Sequence, residues 1–438
     1  MAEVHPFRGV RYNQRLVKDL ASVICPPYDI ISPQLQQELY NRSQYNFVRL
    51  ENNRQLPQDT ATDNRYTRSA ATLEQWLEQG VLAVDQAPAI YLHDHYFRHQ
   101  GKEYRRRGII ACVRLEEWDK KVVRPHEGTL VEHTDDRLSL LWVCQANTSP
   151  ILALFEEPGE KVSSLLAAEA SKKPVINIED SSGERHRVWA ITEPEAIERI
   201  GSVLAHQPLY VADGHHRYES ALTYQRERRA CSPSVSGDEP FNLVMMELVA
   251  FSDPGLIILP AHRLVSGMSK AGLSELAEKL KSLFEIEELP IKQADVWQQV
   301  SRLLMSGENK EVRLVVLGLA EGKLLLLKLR DFATADQMMP RFHSELYKQL
   351  EVDIVDNVIL EKLAGLGSGG QGSTLGYSYD GEEAVNRVLD QEYQLAFLLR
   401  PVKAEAVKAI ADAGDRMSKK ATYFYPKAPA GLVFNRLV

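Results

Sequence analysis

The sequence predicts a mixed α/β fold, and three observations carry that expectation. Two runs rich in Ile, Tyr, Val and Phe, at 89–97 and 103–115, flank Gln100-Gly101, which reads as a hairpin turn. The apolar strand Leu209–Ala212 runs directly into a helical pattern, with Tyr218, Ala221, Leu222 and Gln225 on one face. Residues 269–331 alternate helix, strand, helix, strand, a Glu321-Gly322 turn and strand.

The remaining elements follow in chain order. Residues 1–50 mix short extended pieces with turns. Pro26-Pro27 holds an extended backbone before Tyr28 and Asp29, and Ser32-Pro33 opens a helix as N-cap and first helical residue. Residues 60–79 form a helix on Leu73, Trp76 and Leu77, closed by Gly80. Strands are expected at 151–155 and 185–191 with a helix between them, and a short helix at 194–205. Two buried strands surround Asp253-Pro254-Gly255 within 241–265, and later helices lie near 342–364, 382–390 and 403–413. The expected division is a catalytic body over 1–266, an inserted α/β unit over 267–335 and a C-terminal segment over 336–438 that packs back on the body.

Composition bounds the function. The chain has 438 residues, 44% hydrophobic and 26% charged, with a formal net charge of −8. That sign argues against docking along a nucleic-acid backbone. Cys25, Cys112, Cys144 and Cys231 are scattered, so no CxxC framework is visible and a reduced, cytoplasmic protein is expected. The N-terminus has no signal-peptide run, and no stretch of 18 apolar residues suggests a membrane span.

Chemistry concentrates at Asp213-Gly214-His215-His216-Arg217. A strand breaks at an Asp-Gly and enters a helix whose first turn offers N–H groups and a partial positive charge. Gly214 permits close backbone approach, while His215, His216 and Arg217 add donors, so the turn reads as an anion or phosphate cradle. Asp213 is either the N-cap or a magnesium ligand. Arg124-Pro125-His126-Glu127-Gly128-Thr129 sets a cation, an imidazole and a carboxylate in one loop, and Asp29 is a comparable candidate for a general base. His262-Arg263 ends an apolar strand. Lys420 and Lys427 flank an aromatic segment and suit a phosphate.

Three further patterns read as structural. His93 and His95 lie two apart on a strand with no third ligand indicated, so they are expected to be sheet-surface histidines. Arg105-Arg106-Arg107 splits across two faces of the hairpin. The glycine run at 365–372 lacks the Gly-Lys-Ser/Thr ending of a phosphate loop and reads as a linker.

Taken together, these motifs resemble the domain of unknown function 1015 family, of the ParB/sulfiredoxin-like superfamily. The resemblance runs through HPFRGVRY at 5–12, CPPYDII at 25–31, RPHEGT at 124–129 and ANTSPI at 146–151. It continues through Asp213–Arg217, DPGLIILPAHRLV at 253–265, KKATYFYPK at 419–427 and Gly431-Leu432. Two motifs depart from the family pattern. Ala261 stands where the family has Thr, and Ala421 where it has Ser, so any role for those hydroxyls is lost. The resemblance implies a mixed α/β core whose signature turn binds phosphate. It further implies an ATP- and Mg²⁺-dependent kinase acting on a free hydroxyl, most readily L-serine, giving O-phospho-L-serine.

On that reading Gly214, His215, His216, Arg217, Lys420 and Lys427 hold the phosphates, and Asp213 holds Mg²⁺. Asp29 or Glu127 accepts the hydroxyl proton. Arg124, His126, His262 and Arg263 form the substrate side, with Arg124 or Arg263 on the carboxylate. A homo-oligomer is compatible with this. The alternative is a ParB-like nucleotide-binding regulator without phosphotransfer.

Overall fold

The hairpin around Gln100-Gly101 is the spine of the larger sheet. In the computed structural model, which describes residues 2–157, 159, 161–231, 236–292, 295–306, 311–366 and 374–438, strands Ile90–His99 and Lys102–Arg114 pair antiparallel. Gln100 and Gly101 both take positive φ, 49° and 76°. That is the backbone twist a two-residue hairpin requires. From this hairpin the sheet grows both ways. Its strand order is Val123–Pro125, Leu209–Asp213, Ile151–Phe155, Leu243–Ala250, Lys102–Arg114, Ile90–His99, Arg185–Ile191 and Ile176–Glu179, with Val4–His5 also pairing on Lys102–Arg114. Parallel and antiparallel pairs are mixed.

Both faces of this sheet are covered. Ile90, Leu92, Ile109, Ala111 and Val113 enter one buried cluster, while Tyr91, Ile110 and Cys112 enter another. The period-2 alternation of a strand therefore points apolar residues into two cores rather than one core and water. This corrects the expectation for His93 and His95, which are 1% and 0% exposed. The arginine run does split as expected. Arg106 stands opposite His95, and Arg107 opposite Asp94, with which it forms a bidentate pair at 2.6 Å and 2.6 Å.

The chain divides into two units. The first holds residues 1–125, 129–257 and 426–438, and the second holds 126–128 and 258–425. The expected insertion at 267–335 is not a body of its own. Its strands Phe284–Pro290, Lys323–Leu329 and Arg313–Leu317 continue through Leu395–Leu398, His262–Ser266 and Thr374–Ser378 as one six-stranded antiparallel sheet. One apolar core, with Leu264, Val300, Leu326, Val385 and Leu398, binds the strands together. The tail also differs from expectation. Only 426–438 joins the first unit, where Asn435–Arg436 pairs with Ala146–Asn147 and Ala430 bridges Cys25.

Local signals held closely elsewhere. Ser32 Oγ accepts from Leu35 N–H with Pro33 at the first helical position. The helix expected at 60–79 spans Arg65–Glu78 behind an Asn64–Thr67 capping box. Most of the glycine run, 367–373, lies outside the described residues. The four cysteines are free, three of them buried. Among the described residues no helix is long and apolar enough to cross a membrane.

Candidate functional site

Strand Leu209–Asp213 ends one residue before helix His215–Ala230. Its register against Ile151–Phe155 slips between Val211 and Asp213, a bulge of the kind that re-aims a side chain at a strand end. Gly214 is the residue at the helix start, with φ 91°, and no side chain caps the helix. Asp213 is therefore not the N-cap. A Cβ at 214 would fall 2.9 Å from Arg217 Nε, so both the positive φ and the guanidinium require glycine there.

The Asp213 carboxylate instead joins two cations. Arg217 Nη2 donates to Oδ2 at 2.7 Å, and Lys427 Nζ donates to Oδ1. Burial alone would raise the Asp213 pKa, but Lys427 and Arg217 hold it well below the usual carboxylate range. Lys427 Nζ also lies 3.6 Å from Asp29 Oδ2. Asp29 and Lys427, from distant segments, thus meet the Asp213–Arg217 motif in the first unit.

Behind Arg217 runs a polar chain that sequence reasoning did not assemble. Arg217 Nη1 donates to Ser149 Oγ at 3.0 Å and to the Pro150 carbonyl at 2.5 Å. Ser149 Oγ donates to Glu51 Oε1 at 2.9 Å, and Arg137 Nη1 donates to the Glu51 carbonyl at 3.0 Å. The Arg137 guanidinium lies 3.9 Å from the centre of the Tyr28 ring. Burial pushes the Tyr28 hydroxyl up to about 12, against the pull of Arg137 and Arg217. Ser149 and Arg137 sit in polar stretches visible in the sequence, 146–150 and 134–137. Glu51, wholly buried, left no signal. A cavity of about 40 Å³ between Arg137, Ser149, Arg217 and Ser220 has room for water and not for a larger ligand.

Several first-unit residues named from the sequence already have partners within the fold. Arg217 is held by Asp213, Ser149 and Pro150 and so braces the turn. His216 Nε2 accepts the Leu130 N–H at 2.9 Å, which places its proton on Nδ1. His215 is buried, 7% exposed. Arg124 donates to the Lys121 carbonyl at 2.9 Å and to Tyr210 Oη at 3.3 Å.

The other candidates belong to the second unit. Arg263 is wholly buried, and its fork is bidentate to Asp356 at 2.8 Å and 2.7 Å, with Nη1 on the Ala261 carbonyl at 2.6 Å. The expectation that it grips a substrate carboxylate is corrected, because a carboxylate of the fold already occupies the fork. His262 is also buried. Its Nδ1 accepts from Leu399 N–H at 3.1 Å, and burial beside Arg263 lowers its pKa to about 4. It is a core histidine. His126 Nε2 meets Thr422 Oγ1 at 3.0 Å. Glu127 Oε1 accepts from Lys420 N–H at 2.9 Å, and the Lys420 ammonium stands 4.7 Å from the Tyr377 ring centre.

Residues 4–353 match the model of the family described as protein of unknown function (DUF1015), and the chain belongs to that family. No curated protein matches. Among solved structures the chain is similar to a free serine kinase in complex with AMP, at 14% identity over 73% of this chain and 89% of that one, TM-score 0.35. It is similar to a conserved hypothetical protein from Pyrococcus furiosus, at 13% identity over 75% and 95%, TM-score 0.36. It is also similar to C-terminally truncated SbnI from Staphylococcus aureus, at 10% identity over 73% and 84%, TM-score 0.35. All three TM-scores lie below one half, and no activity is transferred from them.

Proposed function

We propose that the protein is an ATP-dependent kinase for a free hydroxyl, with L-serine as the leading acceptor and O-phospho-L-serine as product. The observation that supports this most is the meeting of Lys427 and Asp29 with Asp213 at the uncapped start of helix His215–Ala230. Phosphoryl transfer needs placement and charge neutralisation more than covalent help. A helix start and an ammonium supply both for a nucleotide's phosphates.

In this reading Lys427 moves from Asp213 onto phosphate oxygens, and the first-turn N–H groups around Gly214 cradle them. Asp29, the most exposed carboxylate of the group, accepts the proton of the serine hydroxyl. The hydroxyl oxygen bonds to Pγ, the bond from Pγ to the β,γ-bridging oxygen breaks, and ADP leaves. With Arg263 committed to Asp356, Arg124 is assigned to the serine carboxylate. Asp213 would hold Mg²⁺, which suits a hard carboxylate oxygen, and Lys427 already places a positive charge against it. The ion would supply further neutralisation of the phosphates. The choice of serine follows the motif resemblance.

The test incubates purified protein with ATP, Mg²⁺ and a panel of amino acids and polyols, with product identified by mass spectrometry and ³¹P NMR. O-phospho-L-serine that disappears in Asp213→Ala is the expected result. Nucleotide binding without transfer to any acceptor would favour the regulatory reading. Absence of nucleotide binding would sink both.

A further inference from the structure

Farther along the first unit's sheet, register assembles a second cluster. His95 stands directly opposite His186 on one neighbouring strand and Arg106 on the other. His93 lies two residues along, and Glu247 reaches it from the next strand, its Oε1 2.8 Å from His93 Nδ1. Gly108, opposite His93, makes that approach feasible. A Cβ there would fall 3.0 Å from Glu247 Cγ and 2.9 Å from Val249 Cγ2.

With both imidazoles neutral, the hydrogen bonds order the tautomers. A carboxylate only accepts, so His93 Nδ1 carries a proton toward Glu247. His93 Nε2 is then an acceptor, 3.2 Å from His186 Nδ1, which must donate to it. This leaves His186 Nε2 as a lone pair. The side chain is wholly buried and Nε2 has no hydrogen bond, with Asp180 Oδ2 3.8 Å away. A buried imidazole lone pair without a donor is a costly arrangement unless a cation fills it. The chain from Glu247 through His93 to His186 is the outer-shell pattern that orients a metal-binding histidine and raises its basicity.

We propose that His95, His186 and Glu184 form a binding site for a divalent transition metal of the zinc type, with Asp180 as a further oxygen ligand. One ligand atom from each of the first three lies within 4.8 Å of the others. Two imidazoles and a carboxylate select late first-row metals over Mg²⁺ and Ca²⁺. Charge agrees with a dication. Glu247, Glu184 and Asp180 face a single guanidinium, Arg106, which is anchored on the Pro426 carbonyl at 2.8 Å. The Glu184 and Asp180 side chains are 20% and 19% exposed, which opens one side for entry.

Metal uptake replaces a hydrogen bond of 2.6 Å between His95 Nε2 and Glu184 Oε2. The His95 proton then moves to Nδ1, which accepts from Arg106 Nη2 at 3.4 Å before uptake, so that guanidinium N–H turns away.

The test uses the full chain stripped with chelator and titrated with Co²⁺, then Zn²⁺. One Co²⁺ per chain is expected, with the visible bands of a low-coordinate nitrogen–oxygen site, displaced by Zn²⁺ and not by excess Mg²⁺. Glu184→Gln lowers affinity at least ~10-fold and shifts the bands, His186→Ala abolishes uptake, and Glu247→Gln costs about 10–100-fold through the outer shell. Should His186→Ala fail to fold, Glu184→Gln decides, being isosteric and partly exposed. Failure of the parent protein to take up one equivalent, or parent-like binding by Glu184→Gln, overturns the proposal.

Discussion

The Asp213 cluster and the His95 cluster share one sheet and carry opposite charge logic. At the strand end, Asp213 and Asp29 are matched by Lys427 and Arg217 beside a positive helix start. In the ladder, three carboxylates face one guanidinium, and a histidine lone pair is left over. On the proposed reading the first arrangement exchanges its carboxylates for phosphate. On the proposed reading the second takes a cation. The lesson is that a site's ligand class follows from which charges are left unbalanced, not from how many polar groups are gathered.

The largest effect that would break this contrast is on Asp213. Asp213→Ala is expected to reduce phosphoserine formation at least ~100-fold, by releasing the cations that shape the turn. Co²⁺ uptake by the ladder should be unchanged in the same protein. Activity within tenfold of the parent, measured under saturating ATP, would remove the strand end from the mechanism.

Arg263 extends the comparison to a pair closed on itself. Arg263→Ala should destabilise the protein by about 3 kcal/mol, read from thermal or urea unfolding, because Asp356 and the Ala261 carbonyl lose their donors. Arg263→Lys should not restore it, since one ammonium cannot replace the fork. The KM for the acceptor should stay at the parent value in the folded protein.

Asp353 shows a buried carboxylate with too few partners. Burial, with Asp356 adding to it, pushes its carboxyl up to about 7 against Ser418 and Arg263. The folded state therefore binds this proton more tightly than the unfolded chain, so its contribution is full below pH 4 and is lost as pH rises toward 7. Asp353→Asn lacks that slope. The difference in Tm, variant minus parent, should grow between pH 4 and pH 7, and a flat difference would refute the assignment.

The smallest effect is expected at Gly214. Gly214→Ala should cost about 1–2 kcal/mol from positive φ and weaken nucleotide binding by displacing Arg217.

How much could be read in the sequence depended on chain separation. Asp213–Arg217 is a contiguous motif, so its turn and helix were legible, and Ser32, Gly80 and Gln100-Gly101 marked boundaries by local chemistry alone. Roles were less legible. Arg217 and Arg263 each look like ligand forks in sequence, and only their partners, Asp213 with Ser149 and Asp356, show that both are braces.

The sequence by itself determined the mixed α/β class, the hairpin, the Ser32 cap, the strand–turn–helix at Asp213 and the family. Tertiary structure alone decided that residues 258–425 form one unit, that Lys427 returns to Asp213, and that His93 and His95 are buried with His186, Glu184 and Glu247. The physical reason is the same in each case. Caps and turns are satisfied within a few residues, whereas a sheet's neighbours are set by register between strands, so residues 95, 106 and 186 become adjacent only when three strands pair.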